Sequence, residues 1–559
     1  MKQMVRICIA SSMLFFGVFG AQAGSNFGLL ANTIKEDASK ACKTASTRKE
    51  CVAKIVNLVR PSRVLLDGKP AGTAVTVGED GTVVLSTDGA ASFVRIEWDV
   101  PFAPDVKVLG GMWERTYGDS AWRRVDDKTA PRKGTMPWYF LAQTQDRTDG
   151  YGVMVQPNAF ACWTVSEKGL ALSLDVRAGL APVRPRGRRI ELCTLVSRQG
   201  RPGETAFAAG QAFCRMMCPS PRLPKNQVYG YNDWYCAYGR NTATNFLADV
   251  AFIVSLLDRD GKVANRPFAV VDDGWQLKKR RGDPIGPDGQ WCMNNSRWGM
   301  AMNEFAAKIK ALDARPGLWY RPFYPDTGDK GLPIDPTDPV WERNLRRDLS
   351  RFRAWGFEIV KIDFITFDWG HTWGFELEDS PCGPNACAWK DDAHTGAETV
   401  KRLYRAMREA AGDMYIIGCN AIDHFAAGLF ELQRIGDDTD GNGWARTRKM
   451  GPNTIGMRAI QNKTFYLADG DCVGLVKEGS VPWEKNSQWL DLVAKSGTSL
   501  FISWKRDLAT DPTVADALSN ALKTASQERG TGVPLDWMET PRPTRWLFDG
   551  CGSMTYDWD

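Results

Sequence analysis

Histidine is scarce in this chain, and the spacings that usually bind zinc are absent from it. The three histidines are His371, His394 and His424, and neither a His-x-x-x-His nor a Cys-x-x-Cys spacing occurs. A zinc site built on the usual ligand spacings is therefore not expected, and a Ser-His-Asp triad has few candidates for its base. We expect no metal and no other cofactor.

Long apolar runs are missing after the first 23 residues. Within those residues, Lys2 and Arg6 precede the apolar run 7–19, and Ala21-Gln22-Ala23 is a small-residue cleavage site. This pattern is typical of a secretory signal peptide, so we expect residues 1–23 to be removed and the protein to be periplasmic or extracellular. No later apolar stretch is long enough to span a bilayer. The net charge of +5, without a basic run that interleaves aromatics, does not indicate nucleic-acid binding.

The cysteine count predicts at least one unpaired thiol. The chain has 14 cysteines, and Cys8 would leave with the signal peptide, so an odd number remains. In an oxidising compartment, cysteines close together in sequence are candidates for local disulfides. The candidate pairs are Cys42 with Cys51 and Cys382 with Cys387.

The chain changes character along its length, which predicts several domains. Its 559 residues are too many for one ordinary domain. Short alternating runs separated by Gly, Pro and Asp turns are typical of an antiparallel β-sandwich, and the proline-rich segment 219–225 is typical of a stiff linker. We therefore expect an N-terminal β-sandwich domain at 24–225.

After the linker, short apolar runs alternate with helical patterns. This alternation predicts a (β/α)8 TIM barrel at 226–510, which leaves 511–559 as a C-terminal tail or small cap. Asp338 followed by Pro339 predicts a helix start, and Thr395 with Glu398 forms a capping box. The eight predicted strands are Val228–Tyr231, Phe268–Val271, Gly317–Tyr320, Glu358–Ile362, Met414–Ile417, Leu432–Ile435, Thr464–Leu467 and Ser499–Ser503.

Carboxylates follow three of these strands. Asp272-Asp273 ends the second strand, Asp363 ends the fourth, and Asp437-Asp438 ends the sixth. Residues at the carboxyl ends of barrel strands face the mouth of the barrel, where active sites lie. Cleavage of a glycosidic bond with retention uses two carboxyl groups, one as nucleophile and one as acid and base.

The neighbours of these carboxylates suit the two roles. Lys361 lies two residues before Asp363 and so points to the same side, where its charge would keep that carboxylate ionised for attack. Adjacent acids raise one another's pKa, which suits Asp437 or Asp438 as the proton donor. The pair at 272–273 is suited to binding sugar hydroxyls, with the ring of Trp275 beside it.

Each motif also has a purely structural explanation. Lys361 and Asp363 could form an ion pair at a strand end. The acids at 437–440 could cap a helix or belong to a calcium loop, although the remaining ligand spacing of an EF-hand is missing. The segment 272–275 could be a simple turn. Their common position at strand ends favours a function.

Several motifs, in order, resemble the α-galactosidase clan of glycoside hydrolases, families 27 and 36, and family 36 most. The resemblance runs from about Tyr229 to Trp504. It rests on strand-end segments that are similar to the clan's motifs, namely Gly230-Tyr231-Asn232-Asp233-Trp234, Asp272-Asp273-Gly274-Trp275, Gly317-Leu318-Trp319, Lys361-Ile362-Asp363, Arg434-Ile435-Gly436-Asp437-Asp438 and Phe501-Ile502-Ser503.

The resemblance implies a role for each matching residue. It implies that Asp363 is the nucleophile and that Asp438, through its spacing from Arg434, is the acid and base rather than Asp437. The remaining residues would bind or orient the sugar, with Trp234 and Trp275 as walls of the pocket. These binding residues are Trp234, Asp272, Asp273, Trp275, Trp319, Lys361, Cys419 and Arg434.

The chain also departs from the clan's pattern. The clan's Asn-Asp-Pro-Asp motif on strand seven is Ala468-Asp469-Gly470-Asp471 here, and Arg321 stands where family 36 often has Glu. Cys419 resembles the family 36 cysteine, but Asn420 does not indicate which group the site accepts at the sugar's 2-position. The insertion 364–394 is expected to form a lid over the outer subsites.

Three functions are consistent with these observations. The first is a secreted retaining exo-α-glycosidase that removes terminal α-linked galactose by double displacement from an oligosaccharide or glycan. The second keeps the scaffold but acts as an α-N-acetylgalactosaminidase or as a transglycosylase like the raffinose synthases. The third is a sugar-binding protein without catalysis. The expected partner is an α-galactoside oligosaccharide or glycan, with neither nucleic acid nor, after removal of the signal peptide, an integral membrane segment involved.

Overall fold

The computed structural model describes residues 55–559, except for 145, 278–288, 293, 295 and 325–331. The predicted signal peptide and the proposed pair of Cys42 and Cys51 lie outside the described residues. No helix within them is both long and apolar enough to cross a bilayer.

The N-terminal part of the described chain folds into antiparallel strands. Runs such as Phe93–Trp98 alternate between buried and more exposed residues, as a strand with one face on a core requires. The strands are β1 (Arg63–Leu66), β2 (Lys69–Pro70), β3 (Val75–Val77), β4 (Thr82–Ser86), β5 (Phe93–Trp98), β6 (Lys107–Gly110), β7 (Arg123–Arg124), β8 (Met136–Pro137), β9 (Tyr139–Gln143), β10 (Thr148–Val153), β11 (Phe160–Ser166), β12 (Gly169–Asp175) and β13 (Arg189–Arg198).

These strands form two sheets. One has the order β2-β1-β5-β12-β11-β8 and the other the order β3-β4-β13-β10-β9-β6-β7. Aromatic rings join the two sheets through the core, because Phe140 of β9 lies 5.8 Å from Trp163 of β11 between ring centroids. Trp163 in turn stacks on Trp98. The result is the predicted β-sandwich.

Eight parallel strands then close into a barrel. Their inward residues, among them Val270, Ile359 and Leu432, form a core cluster of their own, as in barrels whose interior is filled by side chains. The strands are β14 (Tyr229–Asn232), β15 (Phe268–Val271), β16 (Arg315–Tyr320), β17 (Ile359–Ile362), β18 (Tyr415–Gly418), β19 (Leu432–Arg434), β20 (Leu467–Leu475) and β21 (Ser499–Trp504).

Helices connect the barrel strands, and the predicted helix starts are confirmed. Asp338 accepts a hydrogen bond from the backbone N of Val340, and Thr395 and Glu398 form the expected capping box. The helices of the described chain are α1 (Ala206–Met217), α2 (Trp234–Ala237), α3 (Ala243–Leu257), α4 (Met302–Ala311), α5 (Pro339–Ala354), α6 (Ile365–Gly370), α7 (Gly396–Ala411), α8 (Asp423–Ala426), α9 (Trp444–Arg458), α10 (Trp483–Lys495) and α11 (Pro512–Ala525).

The seventh barrel strand differs most from its prediction. It was expected at Thr464–Leu467, but β20 begins at Leu467 and continues to Leu475. Thr464 instead donates its hydroxyl to the carbonyl of Ile460, which is typical of a turn that ends a helix. The apolar residues before the strand are therefore part of this turn.

The residues after the predicted barrel are folded. Helix α11 packs against α3 and α10, and three antiparallel strands follow, β22 (Val533–Pro534), β23 (Arg545–Phe548) and β24 (Gly552–Thr555). The domain boundary at 510 stays a prediction.

The proposed disulfide between Cys382 and Cys387 is wrong, since both residues are free thiols. Cys382 is buried. The Sγ of Cys387 lies 3.4 Å from the carbonyl oxygen of Ile334. Proximity in sequence did not bring the two sulfur atoms together.

We predict that Gly317→Ala destabilises the barrel by about 1–3 kcal/mol, because overpacking a filled core forces neighbours to move. A Cβ at Gly317 would lie 2.4 Å from Cγ2 of Ile359 and 2.8 Å from Cγ2 of Val270. Gly89→Ala is the matched control, since a Cβ there meets its nearest atom at an ordinary 3.6 Å. Denaturant unfolding measures both variants, and equal stabilities would contradict the prediction.

Candidate active site

A cavity of about 700 Å³ opens at the carboxyl ends of the barrel strands. Its position follows from the fold, because the loops after parallel barrel strands gather at one face. All residues predicted for the site line the cavity except Trp275. The predicted residues that line it are Trp234, Asp272, Asp273, Trp319, Lys361, Asp363, Cys419, Arg434 and Asp438.

Asp272 and Lys361 form a buried ion pair on one side of the cavity. The Lys361 Nζ lies 2.8 Å from Oδ2 of Asp272, and the same oxygen accepts a hydrogen bond from Asn232 at 2.7 Å. Burial alone would lower the pKa of Lys361, but the nearby carboxylates of Asp272 and Asp363 hold it well above its usual range. Lys361 is therefore a fixed cation, and its ion-pair partner is Asp272, so the structural alternative of an ion pair between Lys361 and Asp363 is not found.

Asp363 presents its carboxylate at the end of β17. Trp319 donates its Nε1–H to Oδ2 at 3.0 Å, and the backbone N of Phe364 donates to Oδ1 at 2.8 Å. Phe364 has a φ of 59°, a left-handed conformation that is uncommon outside glycine and marks a sharp turn directly after the acid. The two hydrogen bonds fix the orientation of the carboxylate.

Arg434, at the end of β19, binds two carboxylates at once. Its Nη2 lies 3.0 Å from Oδ1 of Asp438 and 2.8 Å from Oδ2 of Asp471. The Asp471 oxygen also accepts a hydrogen bond from the backbone N of Thr439 at 2.7 Å and one from the hydroxyl of Tyr235. Asp471 thus holds Arg434 from behind while Asp438 faces the cavity.

The electrostatics of Asp438 differ from the prediction. Burial alone would raise the pKa of Asp438, but the guanidinium groups of Arg434 and Arg115 lower it below its ordinary value. Asp437 was expected to raise it, yet Asp437 is itself neutralised by Arg446, whose Nη2 lies 2.8 Å from Oδ2. The neighbouring cations therefore outweigh the neighbouring acid at Asp438.

Trp275 does not line the cavity, contrary to the prediction. It is fully buried and donates its Nε1–H to the carbonyl of Trp319 at 2.9 Å. Its ring packs against Phe352 of α5 and Trp291. Trp275 therefore supports Trp319 from the core instead of offering a face to a ligand.

The alternative explanation of 437–440 as a helix cap or calcium loop is not supported. Helix α9 begins at Trp444 after Gly443, so neither Asp437 nor Asp438 caps it. Among the described residues, no group of three or more His, Cys, Asp or Glu side chains is arranged to hold a metal ion.

Sequence reasoning missed a contribution from the sandwich. Arg115, in the segment between β6 and β7, lines the cavity with its Nη1 3.5 Å from Oδ1 of Asp438. The separation of more than 300 positions hid this contact, and the only signal was a cluster of charged and aromatic residues in a connecting loop.

The insertion 364–394, expected to be a lid, is tied to the sandwich. Arg177 donates to the carbonyl of Cys382 at 3.2 Å, and Arg184 lies 2.9 Å from Asp392. Four of its rings line the cavity and form what we call the aromatic wall. These residues are Phe364, Phe367, Trp373 and Phe375.

Neither a protein-family model nor a curated protein matches the chain. Solved structures do match its fold. An α-galactosidase from Thermus thermophilus, TtGalA in complex with p-nitrophenyl α-D-galactopyranoside, aligns with a TM-score of 0.55 and 16% identity, over 85% of this chain and 94% of that one. The GH36 α-galactosidase AgaA from Geobacillus stearothermophilus aligns with a TM-score of 0.53 and 13% identity, over 85% of this chain and 70% of that one.

These likenesses establish the fold class. The chain has the sandwich-and-barrel fold of GH36 α-galactosidases, as the resemblance of its motifs led us to expect. At such low identity the activity has to be argued from the site, because barrels of one fold support many chemistries.

We predict that Asp471→Asn destabilises the protein by about 3–5 kcal/mol, because it leaves a buried arginine with one carboxylate fewer. Asp516→Asn is the control, since Asp516 pairs with Arg259 at the surface and exposed pairs contribute about 0–1 kcal/mol. Denaturant unfolding of both variants is the measurement. A loss at Asp471 no larger than at Asp516 would show that the Arg434 network does not stabilise the fold.

Proposed function

We propose that this protein is an exported retaining exo-α-galactosidase. The observation that carries the proposal is that Asp363 and Asp438 line one cavity together with the ion pair of Asp272 and Lys361. Two carboxylates that face a common space, beside groups able to bind sugar hydroxyls, are the requirements of double displacement. The expected separation of the two carboxyl groups is about 5 Å.

The reaction has two steps. The Asp363 carboxylate attacks C1 of the terminal galactose, the bond from C1 to the glycosidic oxygen breaks, and Asp438 gives its proton to that oxygen. A galactosyl ester on Asp363 results. Asp438, now ionised, takes a proton from water, the water oxygen attacks C1, and the ester bond breaks, which releases galactose with its original configuration.

The surrounding residues orient the sugar. Trp319 and the backbone N of Phe364 hold both oxygens of Asp363, so the nucleophile approaches C1 in one orientation. Lys361 has three donor hydrogens, one of which goes to Asp272, and the pair forms a polar edge for the galactose hydroxyls. Cys419 is a neutral thiol, since burial and Asp363 raise its pKa well above the usual range.

The size and lining of the cavity favour an oligosaccharide substrate. Its volume of about 700 Å³ exceeds what one monosaccharide fills, and the aromatic wall stands at its mouth. The ring centroids of Phe367 and Trp373 lie 4.2 Å apart in a stacked arrangement, and Phe375 is 55% exposed. TtGalA, which shares the fold, has been solved in complex with stachyose. Export to the periplasm or outside, which rests on the signal sequence, suits a substrate of this kind.

We predict that Asp363→Asn lowers kcat on p-nitrophenyl α-galactoside by about 10³-fold or more while the fold stays intact, because the nucleophile is lost. Asp507→Asn changes an exposed residue of the short 3-10 helix Arg506–Ala509; it is the matched control and should keep full activity. Thermal unfolding monitors the fold of both. Normal turnover by Asp363→Asn would refute the role of Asp363, and a wild-type protein that binds but does not cleave would favour the sugar-binding alternative.

The role of Asp438 has its own signature. Asp438→Ala should lose most activity on melibiose, whose leaving group needs a proton, and much less on p-nitrophenyl α-galactoside, whose leaving group does not. Added azide should then intercept the galactosyl ester and give α-galactosyl azide, which chromatography and NMR identify. If Asp437→Ala gave this pattern and Asp438→Ala did not, the acid and base would be Asp437.

A substrate screen separates the remaining alternatives. We expect cleavage of α-galactoside and little cleavage of α-N-acetylgalactosaminide or β-L-arabinopyranoside. Trp373→Ala should raise KM for raffinose about tenfold, equivalent to about 1.4 kcal/mol, and leave KM for the nitrophenyl substrate less affected. Leu547→Ala, on the C-terminal sheet, is the control. Transfer of galactose to an added sugar in preference to water would indicate a transglycosylase.

A further inference from the structure

Arg115 is a buried cation that the sandwich extends into the mouth of the barrel. It is 7% exposed. Its Nη1 lies 3.5 Å from Oδ1 of Asp438 and its Nη2 lies 3.7 Å from Oδ1 of Asp437. The guanidinium also lies over the ring of Tyr117, with its central carbon 5.6 Å from the ring centroid. These contacts face the cavity rather than the core of the sandwich.

The backbone on either side of Arg115 is fixed to the loop that carries Asp438. The backbone N of Thr116 donates to the carbonyl of Ile435, and the backbone N of Asp437 donates to the carbonyl of Thr116, both at 2.9 Å. On the other side, Asn420 donates its Nδ2–H to Oε1 of Glu114 at 3.2 Å. Arg115 is therefore held in place by two barrel loops, those after β18 and β19, and has little freedom to swing away.

The position is costly for an arginine. Its Nε is buried and has no hydrogen-bond partner, and its ion-pair distances are longer than the 2.7–2.9 Å of a strong charge-assisted bond. Groups with incomplete partners inside a protein lower its stability. An arginine placed for stability alone would have a hydrogen-bond partner for its Nε and shorter ion pairs. The position is therefore better explained by an effect on Asp438.

The other charged and titratable groups that face Asp438 come from the barrel. Arg434 on β19 and Arg446 on α9 lie beside it, Lys361 acts from β17, and Asp471 and Tyr235 act from β20 and α2. Asp437 precedes it, and Tyr238 interacts with it electrostatically. Arg115, in contrast to these groups, comes from the sandwich.

We propose that Arg115 is a positioning residue through which the sandwich domain controls the acid and base Asp438. It holds the carboxylate against Arg434, and it stabilises the ionised form that must accept a proton from water in the second step. The inference rests on the proposed galactosidase activity, and it makes the sandwich a part of the catalytic unit.

The test is the pH profile of kcat/KM on melibiose for the full-length wild type and three variants. Asp438 must carry its proton in the first step, so activity falls as pH rises through the pKa of Asp438. Removing a cation within 4 Å raises that pKa. Arg115→Met should therefore move the alkaline limb up by about one pH unit. Arg115→Lys keeps a charge and should leave the limb close to that of the wild type.

Two controls separate this effect from a structural one. Arg124→Met removes an arginine from the neighbouring strand β7 that pairs with Asp126 at the surface, and its profile should match the wild type. With p-nitrophenyl α-galactoside, whose leaving group needs no proton, the limb of Arg115→Met should move much less. If Arg115→Met does not fold, Arg115→Gln carries the same test.

The outcomes are distinguishable. A shifted limb on melibiose that Arg115→Lys restores supports the inference. A profile of Arg115→Met that only scales down at every pH, or a limb that Arg115→Lys shifts equally, would overturn it and leave the galactosidase proposal standing. A wild-type protein that cleaves neither substrate would overturn both.

Discussion

The site depends on how the buried charge of Arg434 is neutralised. An arginine that is only 2% exposed is tolerated when carboxylates and hydrogen bonds surround it. Asp471 does this from the seventh strand and Asp438 from the loop after the sixth. Because one guanidinium binds both, Asp471 behind Arg434 sets the position of Asp438, which faces the cavity. Within β20, Asp471 has a positive φ of 75°, and its carboxylate meets Arg434.

Much of the fold could be predicted from periodicity alone. Apolar runs separated by helical patterns indicated eight barrel strands, and caps such as Asp338 indicated where helices begin. The seventh strand was misplaced because the apolar residues Phe465 and Tyr466 belong to a turn, and a short apolar run does not distinguish a strand from a buried turn. The likeness of solved structures at 13–16% identity fits a fold that tolerates extensive change in sequence.

The candidate site was predictable where it lies at strand ends and not where it depends on tertiary contacts. Asp272, Asp363 and Asp438 follow apolar runs, so local sequence was enough to find them. Trp275 was misassigned because a residue after a strand can turn either to the mouth or to the helices outside, and packing with Phe352 decided this. Arg115 could not be found, because nothing local links a sandwich loop to a barrel loop.

The backbone pairing of Thr116 with the loop after β19 also concerns the order of events during synthesis. The sandwich is made first, but the carbonyl of Ile435 that its loop must meet emerges only after most of the barrel has been translated. Until then the loop carrying Arg115 has a charged side chain and unpaired backbone groups that water must solvate. A cavity built from both parts is thus completed late, and a nascent chain that stops before the sixth barrel strand has no means of assembling it.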